Sequence, residues 1–299
     1  MRRKLPSTQS LICFEAAARQ ASFTKTAQEL ALTQGAVSRQ VAALEEMLGV
    51  ALFKRGQHGM QLTPAGCDYA KQVSHRLAAL ERDTLDVMGG QGQSESLTLA
   101  AVPTFASRWL IPRLPSFATQ FPQHHIHIET RTRPFMFSES GLDAALYAGT
   151  AEQVTQWAGT QATHVLDEEV LPVCSPKLLD KNRQLKPKDL AQMPLLQQST
   201  RPDAWRQWFD AQGLDVPQAM AGPRYELFSM QVAGARHGLG VSLMPTLLIA
   251  AELQRGELVI ACPRALTGLR AYYLIEPQLT QPRDLLKHFK SWLILQTKI

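Results

Sequence analysis

Ser22-Phe-Thr-Lys-Thr-Ala-Gln-Glu-Leu30, followed after two residues by Thr33-Gln-Gly-Ala-Val-Ser-Arg-Gln-Val-Ala-Ala-Leu-Glu-Glu-Met-Leu48-Gly49, is the stretch that decides the fold. Ser22 and Thr33 are N-cap residues, whose hydroxyl oxygens accept the orphan amides of a first helical turn. Two helices therefore stand almost back to back. On the second, Val37, Val41, Leu44 and Leu48 share one face, and Gly35, Ser38, Arg39 and Ala42 fall opposite. Small residues on the outer face let a helix settle into a groove. Gln34, Ser38 and Arg39 can then reach base edges or phosphates, with Thr33 at the same end. That is how a helix-turn-helix presents itself to the major groove of double-stranded DNA.

The surroundings extend the pattern. Upstream, Leu11, Phe14 and Ala18 give a helix over about Thr8–Arg19 one buried stripe. Downstream, Leu52-Phe-Lys-Arg55 and Met60-Gln-Leu-Thr63 flank a turn bounded by Gly56 and Gly59, a hairpin that forms a wing. Lys54 and Arg55 on it are placed for phosphate contact. Thr63-Pro64 is an N-cap with proline at the first helical position, so a helix opens there and runs to about Met88. Along it Ala70, Val73, Leu77, Leu80, Thr84 and Val87 alternate at spacings of 3, 4, 3, 4, 3. Such a stripe fits packing on its own domain; the strict alternation favours a seam between two chains. Gly89-Gly-Gln-Gly-Gln-Ser94 then reads as a flexible linker. The net charge is +5, and residues 1–63, with eight Lys/Arg against four Glu, hold four of those charges. A basic end on a near-neutral body suits a polyanion at that end.

Residues 5–88 resemble the winged helix-turn-helix and linker helix of the LysR-type transcriptional regulators. The resemblance rests on Ala-Ser-Phe-Thr-x-x-Ala-x-x-Leu within Ala18–Leu30, Thr-Gln-x-Ala-Val-Ser-x-Gln-x-x-x-Leu-Glu-x-x-Leu-Gly at Thr33–Gly49, Leu-Phe-x-Arg at Leu52–Arg55 and Leu-Thr-x-Ala-Gly at Leu62–Gly66. It implies a homodimer, paired again into a tetramer, that bends promoter DNA and takes a small-molecule effector in its C-terminal domain. RNA polymerase is a further candidate partner. It also implies DNA contacts from Gln34, Ser38 and Arg39 on the recognition helix and from Arg55 on the wing.

From Leu97 the pattern becomes strand–helix alternation, an α/β class with largely parallel sheets. Strands are expected at Leu97–Val102, Ile126–Thr132, Ala144–Ala148, Val165–Cys174, Gly240–Met244, Leu258–Ala261 and Ala271–Ile275. Helices are expected at Phe105–Phe121, Pro202–Gln212, Ser229–His237 and Arg283–Leu295. About 200 residues suit two lobes around a cleft. Ligands on such sheets bind beyond the carboxyl ends of strands, at helix N-termini, where Pro103, Thr104, Phe105 and Ser107 stand; Thr104 is equally a simple helix cap. Val102-Pro-Thr-Phe-Ala-Ser-Arg-Trp-Leu-Ile-Pro-Arg-Leu-Pro-x-Phe117, Leu171–Pro176 and Gly238-Leu-Gly-Val241 resemble effector domains of the subgroup with the glycine-cleavage activator and the β-lactamase regulator. This implies two Rossmann-like lobes of periplasmic-binding-protein type, with the cleft lined by Thr104, Arg131, Ser199 and Phe228. The chain departs from that subgroup in the apolar Arg133-Pro-Phe-Met-Phe137 and in Tyr147. Phe135 and Phe137 fit either a core or an apolar ligand.

The domains expected are residues 1–63, a winged helix-turn-helix; 64–94, a dimerisation helix and hinge; and 95–299, the effector domain. Several classes are disfavoured. The longest apolar run, Val241–Ala251, is short of the roughly 20 residues a span needs and contains Pro245. Arg2-Arg-Lys4 is followed by Pro6 and polar residues rather than an apolar export segment, so a cytoplasmic place is expected. Cys13, Cys67, Cys174 and Cys262 are scattered and read as buried thiols, with Cys174–Cys262 the one pair open to a redox role. His125 and His127 share a strand face, but no further ligand is placed to complete a metal site. GxSxG, P-loop and dinucleotide fingerprints are absent, so neither enzyme nor cofactor is expected. A solute-binding module without a gene-regulatory role would explain residues 97–299 and leave the N-terminal pattern without a purpose.

Overall fold

The computed structural model describes residues 4–56, 59–88, 95–179, 185–278 and 283–297. The expected linker 89–94, the turn residues Gln57 and His58, and Arg2 and Arg3 lie outside them. The chain forms two compact units.

In the N-terminal unit, helix α1 spans Thr8–Gln20, α2 Phe23–Glu29 and α3 Gln34–Leu48. Each starts on the expected kind of hydroxyl cap. Ser7 Oγ accepts from the Ser10 amide at 3.0 Å, Ser22 Oγ from Lys25 at 3.4 Å, and Thr33 Oγ1 from Ala36 at 3.2 Å. Gly49 closes α3 in the left-handed region, φ +70°, which a side chain would strain. Val37, Val41 and Leu44 are buried against Cys13, Phe14 and Ala27, while Gly35, Ser38, Arg39 and Ala42 stay exposed. Burying each large apolar side chain contributes roughly 1.5–3 kcal/mol, so the inner face fixes which face looks outward.

The wing strands are β1, Phe53–Gly56, and β2, Gly59–Leu62, paired antiparallel with Phe53 opposite Leu62 and Lys54 opposite Gln61. The long helix α4 spans Pro64–Met88. Thr63 caps it by accepting from the Gly66 amide at 3.0 Å and donates to the Ala51 carbonyl at 2.8 Å. The seam divides in two. Val73 is 4% exposed and, with Ala70 and Leu77, packs on Phe14, Leu44 and Leu52 of its own chain; Leu80 at 53% and Val87 at 71% are open. The first half is therefore intrachain packing, and only the second half is free for another chain.

In the C-terminal unit, one five-stranded sheet has the order β4-β3-β5-β12-β6. Its strands are β3 Glu95–Ala101, β4 His124–Thr130, β5 Ala144–Gly149, β6 Thr160–Asp167 and β12 Ala271–Pro277. The other has the order β11-β7-β10-β8-β9, from β7 Val170–Cys174, β8 Leu195–Gln198, β9 Arg224–Tyr225, β10 Val241–Pro245 and β11 Val259–Ile260. The longer helices are α9 Ala204–Ala211, α10 Phe228–Arg236 and α12 Asp284–Leu295; shorter ones are α5 Pro103–Phe105, α6 Leu114–Gln120, α7 Ala151–Thr155, α8 Pro187–Leu190 and α11 Ala250–Gln254. An apolar core runs from Leu97, Leu99 and Phe105 through Trp292 to Val173, Phe228 and Met244, joining the two lobes.

The expectation of largely parallel sheets is corrected: β3 pairs β4 and β5 in parallel, but β12 returns antiparallel to both β5 and β6. The second sheet is mixed in the same way, β10 running parallel to β8 and antiparallel to β7. The single strand expected over Val165–Cys174 is two, β6 and β7, which lie in different sheets and break at Glu168–Glu169. The helix expected over Phe105–Phe121 is interrupted by a π turn at Ala106–Leu110 and a 3-10 turn at Ile111–Arg113. Pro112 and Pro115 lack the amide protons that a continuous helix needs. Trp205 and Trp208, at i, i+3 on α9, are packing residues, their indole N–H groups donating to the Leu196 and Arg264 carbonyls at 3.0 and 2.8 Å. Cys67 is exposed, against the expectation of four buried thiols; all four are free, and burial raises the Cys174 pKa to about 11. Among the described residues no cluster of three or more His, Cys, Asp or Glu could hold a metal, and no helix is long and apolar enough to cross a membrane.

A Cβ at Gly66 would collide with the Leu52 carbonyl oxygen at the base of the wing. Gly66→Ala is expected to cost about 1–3 kcal/mol of N-terminal stability, measured as a lowered midpoint in chemical denaturation followed by helical circular dichroism.

Candidate nucleic-acid interface and effector cavity

The outer face of α3 and the wing enclose an open groove. Gln34, Gly35, Ser38 and Ala42 line one side, Lys54 and Met60 the other, and Phe23 and Phe53 its floor. Leu52 and Phe53 pack at the base of the wing against Leu44, Val37 and Val41 of the helix, and one helix side chain also hydrogen-bonds their backbone. The Glu45 carboxylate accepts the Leu52 amide at 2.7 Å and the Phe53 amide at 3.0 Å through a single oxygen, Oε1. Arg39 is exposed beside the groove, its Nε donating to the Gly35 carbonyl at 3.2 Å, so its terminal nitrogens remain available. Thr33 is exposed, but its hydroxyl is engaged in capping. Of Arg55 the structure places only the backbone, opposite Met60; its side chain lies outside the described residues. Gln34, Ser38 and Lys54 thus share one groove, with Arg39 at its side. Glu45, quoted in the sequence motif but given no role there, hydrogen-bonds the start of the wing.

In the C-terminal unit, two recesses meet between the sheets. Val102, Pro103, Thr104 and Phe105 from the end of β3, Tyr147 and Ala148 from β5, and Leu227 and Phe228 at the start of α10 line the first. The second is mostly apolar, with Val170, Leu196, Trp205, Leu243, Leu266 and Leu269. Gln198, Arg201, Phe228 and Arg270 border both. Of the residues expected at the cleft, Pro103, Thr104, Phe105 and Phe228 line it. Ser107 is exposed and donates to the Thr104 carbonyl; Arg131 is exposed on Glu129; Ser199 is exposed beside the lining residues Gln198 and Thr200. None of these three borders either recess. Phe135 packs edge-on against Trp157, and neither Phe135 nor Phe137 lines the cleft.

Thr104 does not cap its own helix, as its place in the sequence suggested: α5 starts at Pro103 after Val102 with no side-chain cap. Its hydroxyl oxygen instead accepts the Ser229 amide at 3.1 Å, linking the end of β3 in one lobe to α10 in the other. At the centre lies a buried ion pair. Arg201 grips Glu168 through both terminal nitrogens, at 2.5 and 3.0 Å, and lies 4.9 Å over the Phe228 ring. Its burial opposes the charge, but the Glu168 carboxylate outweighs this and raises the guanidinium pKa. Tyr272 stacks on Phe105 with centroids 4.3 Å apart, and burial beside Glu168 pushes its phenol well up, so it stays a hydroxyl. Behind them Gln231 donates to Gln198 at 2.7 Å and accepts from the Ser242 hydroxyl, a buried polar chain with its hydrogen bonds satisfied. Sequence reasoning missed Glu168, Gln198, Arg201, Arg270 and Tyr272. The one signal available was polar residues inside apolar surroundings, such as Gln197-Gln198 ending the buried strand β8.

The comparisons agree with this geometry. Residues 8–67 match the model of the bacterial regulatory helix-turn-helix protein, lysR family, and residues 90–296 match that of the LysR substrate binding domain. The chain belongs to the LysR family of transcriptional regulators. It is 32% identical over 295 residues to the glycine cleavage system transcriptional activator of Escherichia coli strain K12, covering 98% of this chain and 95% of that protein. It is 36% identical over 289 residues to the transcriptional activator AmpR of Rhodobacter capsulatus, covering 96% of each. Among solved structures, the effector domain of AmpR from Pseudomonas aeruginosa superposes with a TM-score of 0.61 at 27% identity, covering 68% of this chain and 95% of that one. Full-length AphB of Vibrio cholerae, at 20% identity, shares the fold with a TM-score of 0.61, covering 96% of this chain and 98% of its own. This LysR-family protein is therefore a regulator with an effector-binding domain, and its relatives are transcriptional activators rather than enzymes.

Removing one partner of a buried bidentate pair leaves the other charge uncompensated. Arg201→Leu is expected to destabilise the regulator by about 3–5 kcal/mol, and the double variant Glu168→Leu with Arg201→Leu to recover most of that loss. Paired urea denaturation curves check both.

Proposed function

We propose that residues 1–63 read a duplex, that residues 64–94 pair two copies, and that residues 95–299 bias the DNA-bound state according to an effector in the cleft. Two recognition helices enter successive major grooves of an imperfect palindrome. Gln34, Ser38 and Arg39 supply base readout, with Thr33 fixing the helix start, and Arg39, Lys54 and Arg55 supply phosphate contacts that position it. The observation that carries this is the groove between α3 and the wing, lined by small and polar side chains and edged by Lys54. The exposed Leu80, Thr84 and Val87 on the free half of α4 suit pairing with a second copy, and two such dimers would make the tetramer. RNA polymerase is the partner that the named activators suggest for the assembled complex.

The effector site is built on Pro103, Thr104, Phe105 and Phe228 together with Tyr147, Arg201, Arg270 and Tyr272. A ligand that prefers one spacing of the lobes shifts the population of DNA-bound states by its difference in affinity for them. The Thr104–Ser229 hydrogen bond is a lobe-to-lobe contact sensitive to that spacing.

Gly35 has open space around it, so a methyl group there meets nothing in the free protein. Gly35→Ala is expected to leave folding intact, or to stabilise α3 by up to about 1 kcal/mol, and yet to weaken specific binding by crowding the groove face. Arg39→Ala is expected to weaken binding and to reduce the salt slope of log K by about 1. Mobility-shift titrations on the upstream promoter region over a range of salt measure both. Undiminished specific binding by both variants would remove this face from the readout.

A further inference from the structure

The established family membership leaves the chemistry of the ligand open, and two guanidinium groups at the junction of the recesses constrain it. Arg201 is spent: it is buried, and both its terminal nitrogens are held by Glu168. Arg270 is different. Its side chain makes one hydrogen bond, at 3.3 Å from Nη1 to the amide oxygen of Gln153, and among the described residues no carboxylate lies within ion-pair distance of it. Burial, and after it the neighbouring Arg201 cation, lower its pKa and outweigh the opposing pull of Glu168, Tyr147 and Asp203, so its charge is only partly compensated. A guanidinium offers five N–H donors in a planar fork that matches a carboxylate.

The surroundings narrow the choice. The recess on one side of Arg270 is lined by Trp205, Leu243, Leu266 and the partly exposed Leu269 and offers an apolar tail a mostly apolar seat. On the other side Glu226 lines the cleft, exposed, accepting from the Thr132 hydroxyl at 3.3 Å. A second negative charge on the ligand would meet that carboxylate. With Glu168 and Arg201 neutralising each other, one cation without an ion-pair partner, one mostly apolar recess and the acidic Glu226 in the cleft lining match a singly charged anion better than a phosphate or a diacid.

We propose that the effector is an organic monocarboxylate with an apolar aryl or alkyl tail, its carboxylate seated on Arg270 and its tail in the recess beside Trp205 and Leu269. This rests on the reading of the cleft as the effector site. It makes Arg270 a binding residue and Leu269 a determinant of tail preference, neither of which the sequence pattern singles out.

Calorimetric titration of the full-length protein with 3-phenylpropionate, hexanoate and 3-phenylpropanamide tests this, with mobility shifts on promoter DNA run on the same sample. At least one acid is expected to bind. 3-Phenylpropionate is expected to bind about 10- to 100-fold more tightly than its neutral amide, the worth of a charge-assisted hydrogen-bond pair. Arg270→Gln is expected to abolish that preference, and Leu269→Ser to weaken the acids while leaving DNA binding in place. The acid–amide comparison on the unaltered protein stands even if Arg270→Gln fails to fold. Binding of neither acid, equal binding of acid and amide, or a folded Arg270→Gln that keeps the preference would overturn the proposal. A sample that shifts promoter DNA but ignores the acids refutes this inference alone, whereas one that never engages DNA refutes the regulatory reading beneath it.

Discussion

The Glu45 carboxylate, accepting the amides of Leu52 and Phe53, is the constraint on which the DNA-reading end depends. α3 presents its outer face because Val37, Val41 and Leu44 bury the inner one, and Leu52 and Phe53 at the base of the wing pack on that same core. Glu45 joins the two. It lies on the recognition helix one turn beyond Val41 and holds the first residues of the hairpin, so Lys54 is carried to the same groove as Gln34 and Ser38. Such bonds to an ionised acceptor are roughly twice as strong as neutral ones. Gly66 completes the corner: without a side chain it lets α4 begin directly against the Leu52 carbonyl.

In the C-terminal unit, polar groups at the cleft are arranged so that almost every buried one is satisfied by another. Glu168 and Arg201 neutralise each other, Gln198, Gln231 and Ser242 form a chain, and Thr104 is joined to Ser229. Buried pairs of this kind add little net stability over apolar packing, but they punish any arrangement that separates them. The lobes are held further by Arg108, whose Nη1 donates to the Leu248 carbonyl and the Glu252 carboxylate, all within 2.8 Å. Against that background, a cleft arginine with a single amide partner is the conspicuous exception.

Much of the N-terminal unit was legible because its signals are local. Hydroxyl caps at Ser22, Thr33 and Thr63, glycine at Gly49 and Pro64 at a helix start each act over one turn, and the structure shows all of them in place. The heptad spacing was less decisive, because one periodic stripe serves two purposes: Val73 and Leu77 pack on their own domain, whereas Leu80 and Val87 are largely exposed. In the C-terminal unit the end of β3 pointed to Pro103, Thr104 and Phe105. The rest of the cleft is assembled from β6–β7, β8 and β12, segments about 100 residues apart in places, and strand direction there depends on which sheet a strand joins. No local pattern reveals that Glu168, Arg201 and Arg270 meet. Arg131 and Ser199 fall just off the cavity, because in a strand or turn a shift of one residue reverses the side a side chain takes.

Hydroxyl-radical footprinting of the full-length regulator on the DNA upstream of its own gene bears on the whole scheme. Paired protected patches on one face of the duplex, separated by about 10–10.5 base pairs or a multiple of it, and fading as salt is raised, are expected if α3 and the wing read successive grooves. Uniform protection, or none at low ionic strength, would contradict that scheme.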